Sequence, residues 1–147
     1  MEKSYKFEIK AKKNEKFDSC EIKNEYDAVN YARQFYHDDI NLWESFFVIM
    51  LNQSNKVIGW LKVAQGGISR TQVDIRIILK ACVDTLASGV ILIHNHPSGS
   101  CKPSREDKAL TNQINEVLKM LDIRLEDHII LSEENWESMN QWGYINR

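Results

Sequence analysis

The sequence predicts a domain that mixes helices and strands, α/β or α+β, and three observations predict it. Apolar, β-branched runs of strand length recur at 43–51, 57–64, 90–93 and 124–131. Around them, 25–37, 71–84 and 104–121 carry apolar residues at helical spacing. Between the first two strand runs, Asn52-Gln53-Ser54-Asn55 has the length and composition of a hairpin loop, which makes that part of the sheet antiparallel.

Taken in order, residues 1–16 alternate weakly (Tyr5, Phe7, Ile9, Ala11) among lysines, as in an amphipathic edge strand whose lysines discourage further pairing. Those lysines would also suit phosphate, but a solvated edge explains them more simply. Tyr26, Val29, Ala32, Phe35 and Tyr36 form the stripe of the first helix, and His37 suits its C-terminal dipole. The strand at 43–51 starts with Glu44 on the same face as Phe46, Val48 and Met50, where a carboxylate is costly to bury without a partner. Either Glu44 has such a partner, or it sits at the exposed strand end and does nothing. Residues 65–69 read as a turn, and the helix at 71–84 turns Val73, Ile77, Ile78 and Ala81 to the core. Asp74 and Arg76 either line a cleft or form a structural ion pair, the simpler reading. The helix at 104–121 buries Leu110, Ile114, Val117, Leu118 and Leu121. After the strand at 124–131, residues 133–144 are expected to form a short helix and tail, with Trp136, Met139 and Trp142 covering the sheet.

The stretch with most chemistry is the run from Val90 to Asp107. His94 and His96 end an extended segment, and side chains at i and i+2 point to one side. Pro97-Ser98-Gly99 turns the chain, and Pro103-Ser104 opens a helix with Asp107 in its first turn. Two imidazoles and a carboxylate are the ligand set of a catalytic zinc that keeps a position for water. Structural readings compete. Ser104-x-x-Asp107 is also a capping box, and two strand histidines can be satisfied by backbone carbonyls. Neither alternative requires the whole string, and the capping box can coexist with a metal.

The chain has 147 residues, with 43% apolar and 27% charged residues, as expected for one globular domain spanning 1–147. Within it, 1–40 form an N-terminal strand-and-helix extension and 41–147 the core. A net charge of −2 lacks the basic footprint of a nucleic-acid binder. Cys20, Cys82 and Cys101 are odd in number and unpaired in spacing, which points to a reducing, cytoplasmic setting. No apolar run reaches membrane-spanning length, and the lysine-rich start is unlike a signal peptide. Cys101 has no second cysteine at zinc-finger or deaminase spacing, and His-Glu-x-x-His is absent.

His94-x-His96-x(7)-Ser104-x(2)-Asp107 resembles the metal-binding signature of the JAMM (MPN+) metallo-isopeptidases. The fuller string His94-Asn95-His96-Pro97-Ser98-Gly99, with Pro103-Ser104-x-x-Asp107, resembles the RadC branch of that superfamily. The likeness runs from about Glu44 to Gly143, taking in Gly66-Gly67, Val73-Asp74-x-Arg76, Leu121-Asp122-Ile123 and Asp127-His128-Ile129-Ile130. Ile68 departs from the threonine found in many relatives. The resemblance implies a JAMM/MPN-like (cytidine deaminase-like) fold, a mixed, mostly antiparallel sheet flanked by helices. It also implies Zn2+ on His94, His96 and Asp107, Glu44 as general base, Ser104 as hydroxyl donor, and a peptide or isopeptide substrate. Asp127 and His128 are either neighbours that orient the ligands or a buried structural pair. The alternative is a RadC-type DNA-repair or mobile-element accessory acting through nucleic-acid or protein binding. Longer relatives carry an N-terminal helix-hairpin-helix module, for which this chain has no room. A third possibility, a scaffold that binds metal without catalysis, fits poorly with an intact set of Glu44, Ser104 and three ligands.

Overall fold

The computed structural model describes residues 1–8, 10–13, 16–66 and 72–147. Strand β1, Ser45–Leu51, is buried along its whole length, which requires apolar cover on both faces. Alternation divides its residues between two cores. Phe46, Val48 and Met50 join one, and Phe47, Ile49 and Leu51 the other.

β1 lies between β2, Val57–Gln65, and β3, Gly89–Asn95, and is antiparallel to both. The turn from β1 to β2 is held by Asn52, whose side chain accepts from the N–H groups of Ser54 and Lys56, with Asn55 at φ 58°. β4, Arg124–Leu131, runs parallel to β3, and the short β5, Trp136–Ser138, pairs antiparallel with β4. The sheet order is β2-β1-β3-β4-β5, with one parallel neighbour pair. The expected mixed, mostly antiparallel sheet is therefore present.

Helices cover both faces. α1, Glu25–Arg33, contributes Ala28, Val29, Tyr31 and Ala32 to the core containing Phe47, Ile49, Ile91 and Ile93. Asn24 starts it, accepting from Asp27 N–H at 3.0 Å. α2, Ile75–Asp84, and α3, Arg105–Met120, pack on the opposite face, with Ile78, Cys82, Ile114 and Leu118 against Val48, Val90 and Leu92. The loop joining β3 to α3 therefore opens over that second face.

Several local expectations change. The N-terminal strand does not form among the described residues of 1–16. Among the described residues pairing starts at the isolated bridge Glu21↔Lys56, and Tyr5 and Phe7 remain exposed. Ile9, residues 67–70 and Thr71 lie outside the described residues. The first helix ends at Arg33, although Phe35 still packs beneath it. α2 begins later than expected, with Asp74 as N-cap, and Asp74 and Arg76 form the simpler-reading ion pair at 2.8 Å. Ile77 and Leu121 are exposed, while Cys82, Thr111 and Asn115 are buried. The helix expected at 133–144 is replaced by β5. Its backbone completes the free edge of β4, and the Ser138 hydroxyl donates to Asp127 at 2.6 Å. Met139 is buried as expected, but Trp142 is 60% exposed.

Candidate metal centre

The register between β1 and β3 pairs Phe46 with His94. Two residues on, His96 follows the end of β3, and two residues before Phe46, Glu44 precedes β1, so both lie at the same end of the sheet. The turn after His96 is closed by Gly99 N–H donating to His96 C=O at 3.0 Å. Gly99 has φ +89°, a conformation that side chains rarely adopt, and the chain then folds the Ser100 carbonyl back onto His96 Nδ1 at 2.7 Å. A carbonyl can only accept. His96 therefore carries its proton on Nδ1 and turns the lone pair of Nε2 inward.

Asp107 arrives from the other side, on the first turn of α3. The capping box is real: Ser104 Oγ accepts from Asp107 N–H at 3.0 Å, and the Asp107 carboxylate accepts from Ser104 N–H at 2.8 Å. It also aims the carboxylate. Asp107 oxygens lie 3.2 Å from His94 Nε2 and 3.1 Å from His96 Nε2, and the two Nε2 atoms are 3.0 Å apart. Bonds of about 2.0–2.1 Å to a tetrahedral zinc would set donors roughly 3.3 Å apart, so the two imidazoles and the carboxylate, which turns Oδ1 to His94 and Oδ2 to His96, fit one ion. His94, His96 and Asp107 are the group able to hold a metal among the described residues.

The electrostatics favour positive charge at the centre of this group. Burial pushes the Asp107 carboxyl up, but His94, His96 and Ser104 N–H outweigh it and hold the acid well below the usual carboxylate range. Burial pushes His96 down, yet Asp107, the Ser100 carbonyl and Glu44 leave it raised on balance. The side chain of His94 is 4% exposed, while those of His96 and Asp107 are 13% and 18% exposed. The first of the three is buried and the other two face an approach from solvent.

The RadC-like JAB domain family matches residues 22–144, well over half of the chain. The chain belongs to that family. Its similarity to curated relatives agrees: it is 43% identical over 100 residues to a UPF0758 protein of Flavobacterium johnsoniae, covering 68% of this chain and 44% of that protein. It is 42% identical over 91 residues to a UPF0758 protein of Porphyromonas gingivalis, covering 62% and 40%. The UPF0758 protein YfjY of Escherichia coli is 37% identical over 102 residues, covering 69% and 64%. This RadC-like chain thus spans less than half the length of the first two relatives.

Within the RadC-like domain, two residues matter that the motif did not single out. Asn95 sits between the two histidines with its side chain on the opposite face, 1% exposed. Its Oδ1 accepts from Ser45 N–H at 2.8 Å, and its Nδ2 donates to the carbonyls of Ile40 and Trp43 at 2.8 and 2.9 Å. The half-buried Glu44 is thereby clamped on both sides. Gly66 N–H donates to its carbonyl at 2.9 Å, and the Tyr36 hydroxyl donates to Ser45 C=O at 3.0 Å. Thr111 is the second, one helical turn beyond Asp107 and fully buried. A polar residue inside an apolar helical stripe was the available signal for it.

Asp127 and His128 part company. Asp127 accepts from His128 N–H, Asn140 N–H and the Ser138 hydroxyl, tying β4 to β5 and the tail. His128 points to the opposite side and places its Nε2 2.7 Å from His94 Nδ1. Among the described residues, no helix is long and apolar enough to cross a membrane.

Proposed function

We propose that this RadC-like JAB domain is a zinc-dependent hydrolase of JAMM type that cleaves an amide bond, peptide or isopeptide. The observation that carries this reading is the convergence of His94 Nε2, His96 Nε2 and the Asp107 carboxylate within 3.0–3.2 Å. Three electron-pair donors at that separation repel one another unless a cation or proton lies between them, and their types suit zinc.

His94, His96 and Asp107 would hold the ion. When bound, zinc brings the pKa of a water toward neutrality and polarises a carbonyl. Glu44, at the same end of the sheet and already acting on His96 through its charge, takes the proton of the attacking water and returns it to the leaving amine. Ser104 uses its oxygen to accept from Asp107 N–H, which leaves the hydroxyl proton for the oxyanion that develops on the substrate carbonyl. A peptide or isopeptide partner is the favoured one, since a net charge of −2 gives nucleic acid only weak support. A cytoplasmic setting goes with this reading, since Cys20, Cys82 and Cys101 are all free thiols.

The test is elemental analysis of the purified protein, followed by a panel of peptide, isopeptide and small-amide substrates. About one zinc per chain is expected in the wild type and none in His96→Ala or Asp107→Asn. Glu44→Gln should keep the zinc and lose roughly 100-fold or more in turnover. Folded, zinc-loaded wild type that cleaves nothing in the panel would overturn the hydrolase reading.

A further inference from the structure

Behind the ligand histidine that is most buried lies a chain of three hydrogen bonds that ends on the ligand carboxylate's own residue. His94 Nδ1 is 2.7 Å from His128 Nε2. His128 Nδ1 is 2.6 Å from Thr111 Oγ1, and Thr111 Oγ1 is 2.6 Å from the Asp107 carbonyl. His128 and Thr111 are both 0% exposed, so water cannot replace a missing partner.

The direction of this relay follows from counting protons. Thr111 has one hydroxyl proton, and the Asp107 carbonyl can only accept it. The Met139 sulfur, 3.6 Å from the same oxygen, is the weaker acceptor. With its proton given to the carbonyl, Thr111 oxygen accepts from His128 Nδ1–H. A neutral His128 then offers a lone pair at Nε2, which accepts from His94 Nδ1–H. His94 in that tautomer has its remaining lone pair on Nε2, the atom that faces His96 and Asp107. Reversed, the same relay would place a proton on His94 Nε2, in the centre of the ligand group.

We propose that Thr111 and His128 are positioning residues of the metal centre, which fix His94 in the tautomer whose Nε2 is free to bind a cation. This rests on the metal reading above and adds to it the source of the ligand's orientation. It also couples two ligands that come from different elements. Asp107 on α3 and His94 on β3 are joined through Thr111 and His128, so displacement of α3 is felt at His94. Ligating histidines are commonly oriented by a carboxylate or carbonyl. Here a second imidazole does so, and a threonine sets its polarity.

The experiment compares wild type, Thr111→Val and Thr111→Ser, using zinc alone as the probe. Zinc affinity is measured by competition with a chromophoric chelator. The protonation of each His94 nitrogen is read from long-range 1H–15N correlations on 15N-histidine protein, with and without zinc. In wild type, His94 Nδ1 should carry a proton in both states. Valine keeps the shape of threonine but leaves His128 Nδ1–H without an acceptor. His128 then shifts to its other tautomer, and His94 takes its proton on Nε2 in the metal-free protein. Zinc affinity should fall about 10- to 100-fold in Thr111→Val and return to within a few-fold of wild type in Thr111→Ser.

A His94 Nε2 proton with a bare Nδ1 in metal-free wild type would overturn the proposal, and that reading needs no variant to fold. So would a folded Thr111→Val that binds zinc as tightly as wild type. If wild type takes up no zinc at all, the metal reading fails separately, while the His94 nitrogen signals still decide the polarity of the relay.

Discussion

Asn95 shows how much a single side chain organises here. Its carboxamide uses one acceptor and both donors on backbone groups that bracket Glu44, and all three bonds lie at 2.8–2.9 Å. Replacing Asn95 with Asp keeps the shape and the acceptor for Ser45 N–H. It sets a carboxylate oxygen against the carbonyls of Ile40 and Trp43, which then have no donor. The expected loss is on the order of 3 kcal/mol, seen as a lower urea midpoint at unchanged slope. On the proposed reading zinc content should survive, because His94 projects from the other face of β3, while turnover falls as Glu44 loses its fixed position. An unchanged midpoint would mean that these bonds contribute little to the clamp.

At the scale of elements, the site depends on what ends β3 and what starts α3. The turn after β3 works because Gly99 adopts φ +89° and nothing lies within 4 Å of where its Cβ would be. Gly99→Ala therefore tests backbone conformation free of any clash. About 1–2 kcal/mol should be lost, with a lower melting temperature. Zinc affinity should fall roughly tenfold, because the Ser100 carbonyl that orients His96 moves with the turn. Unaltered zinc affinity beside a lowered melting temperature would show that His96 is oriented by something other than this carbonyl. At the start of α3, helix capping and the candidate metal site share residues. Ser104 and Asp107 satisfy the first-turn N–H groups, and the same bonds direct the carboxylate toward the histidines.

The whole molecule is one sheet with a core on each face, and β1 serves both. Ile49 belongs to the α1 side and Ile114 to the side of α2 and α3, and each is 0% exposed. Ile49→Ala and Ile114→Ala should each cost about 2–5 kcal/mol and sum nearly additively, since they lie on opposite faces. Because β1 and β3 are shared, each variant should still unfold in a single transition, the same by circular dichroism and by tryptophan fluorescence. Two separated transitions would show that the cores melt independently.

By itself the sequence determined the strands at 43–51, 57–64 and 124–131 to within two residues, and the hairpin loop between the first two. It also pointed to His94, His96 and Asp107 as one group that could hold a metal ion, since His-x-His on a strand and Asp107 on a helix start are local patterns written by periodicity and capping. Its readings failed where partners were distant. Residues 133–144 look helical until β4 offers an edge to pair with, and residues 1–16 look like a strand, although Tyr5 and Phe7 stay exposed and the described residues there do not pair. Glu44 could not be assigned from its own strand, because its place depends on the register Phe46↔His94 between segments nearly 50 residues apart. His128 depended on tertiary structure for the same reason. A register shift between Val90/Ile91 of β3 and Leu125/Asp127 of β4 skips Glu126, so Leu125 and His128 both serve the α3 side. Strict alternation would have put those two residues on opposite faces. Only the packing of β4 against β3 brings His128 to His94, because that contact is a property of the sheet and not of either strand.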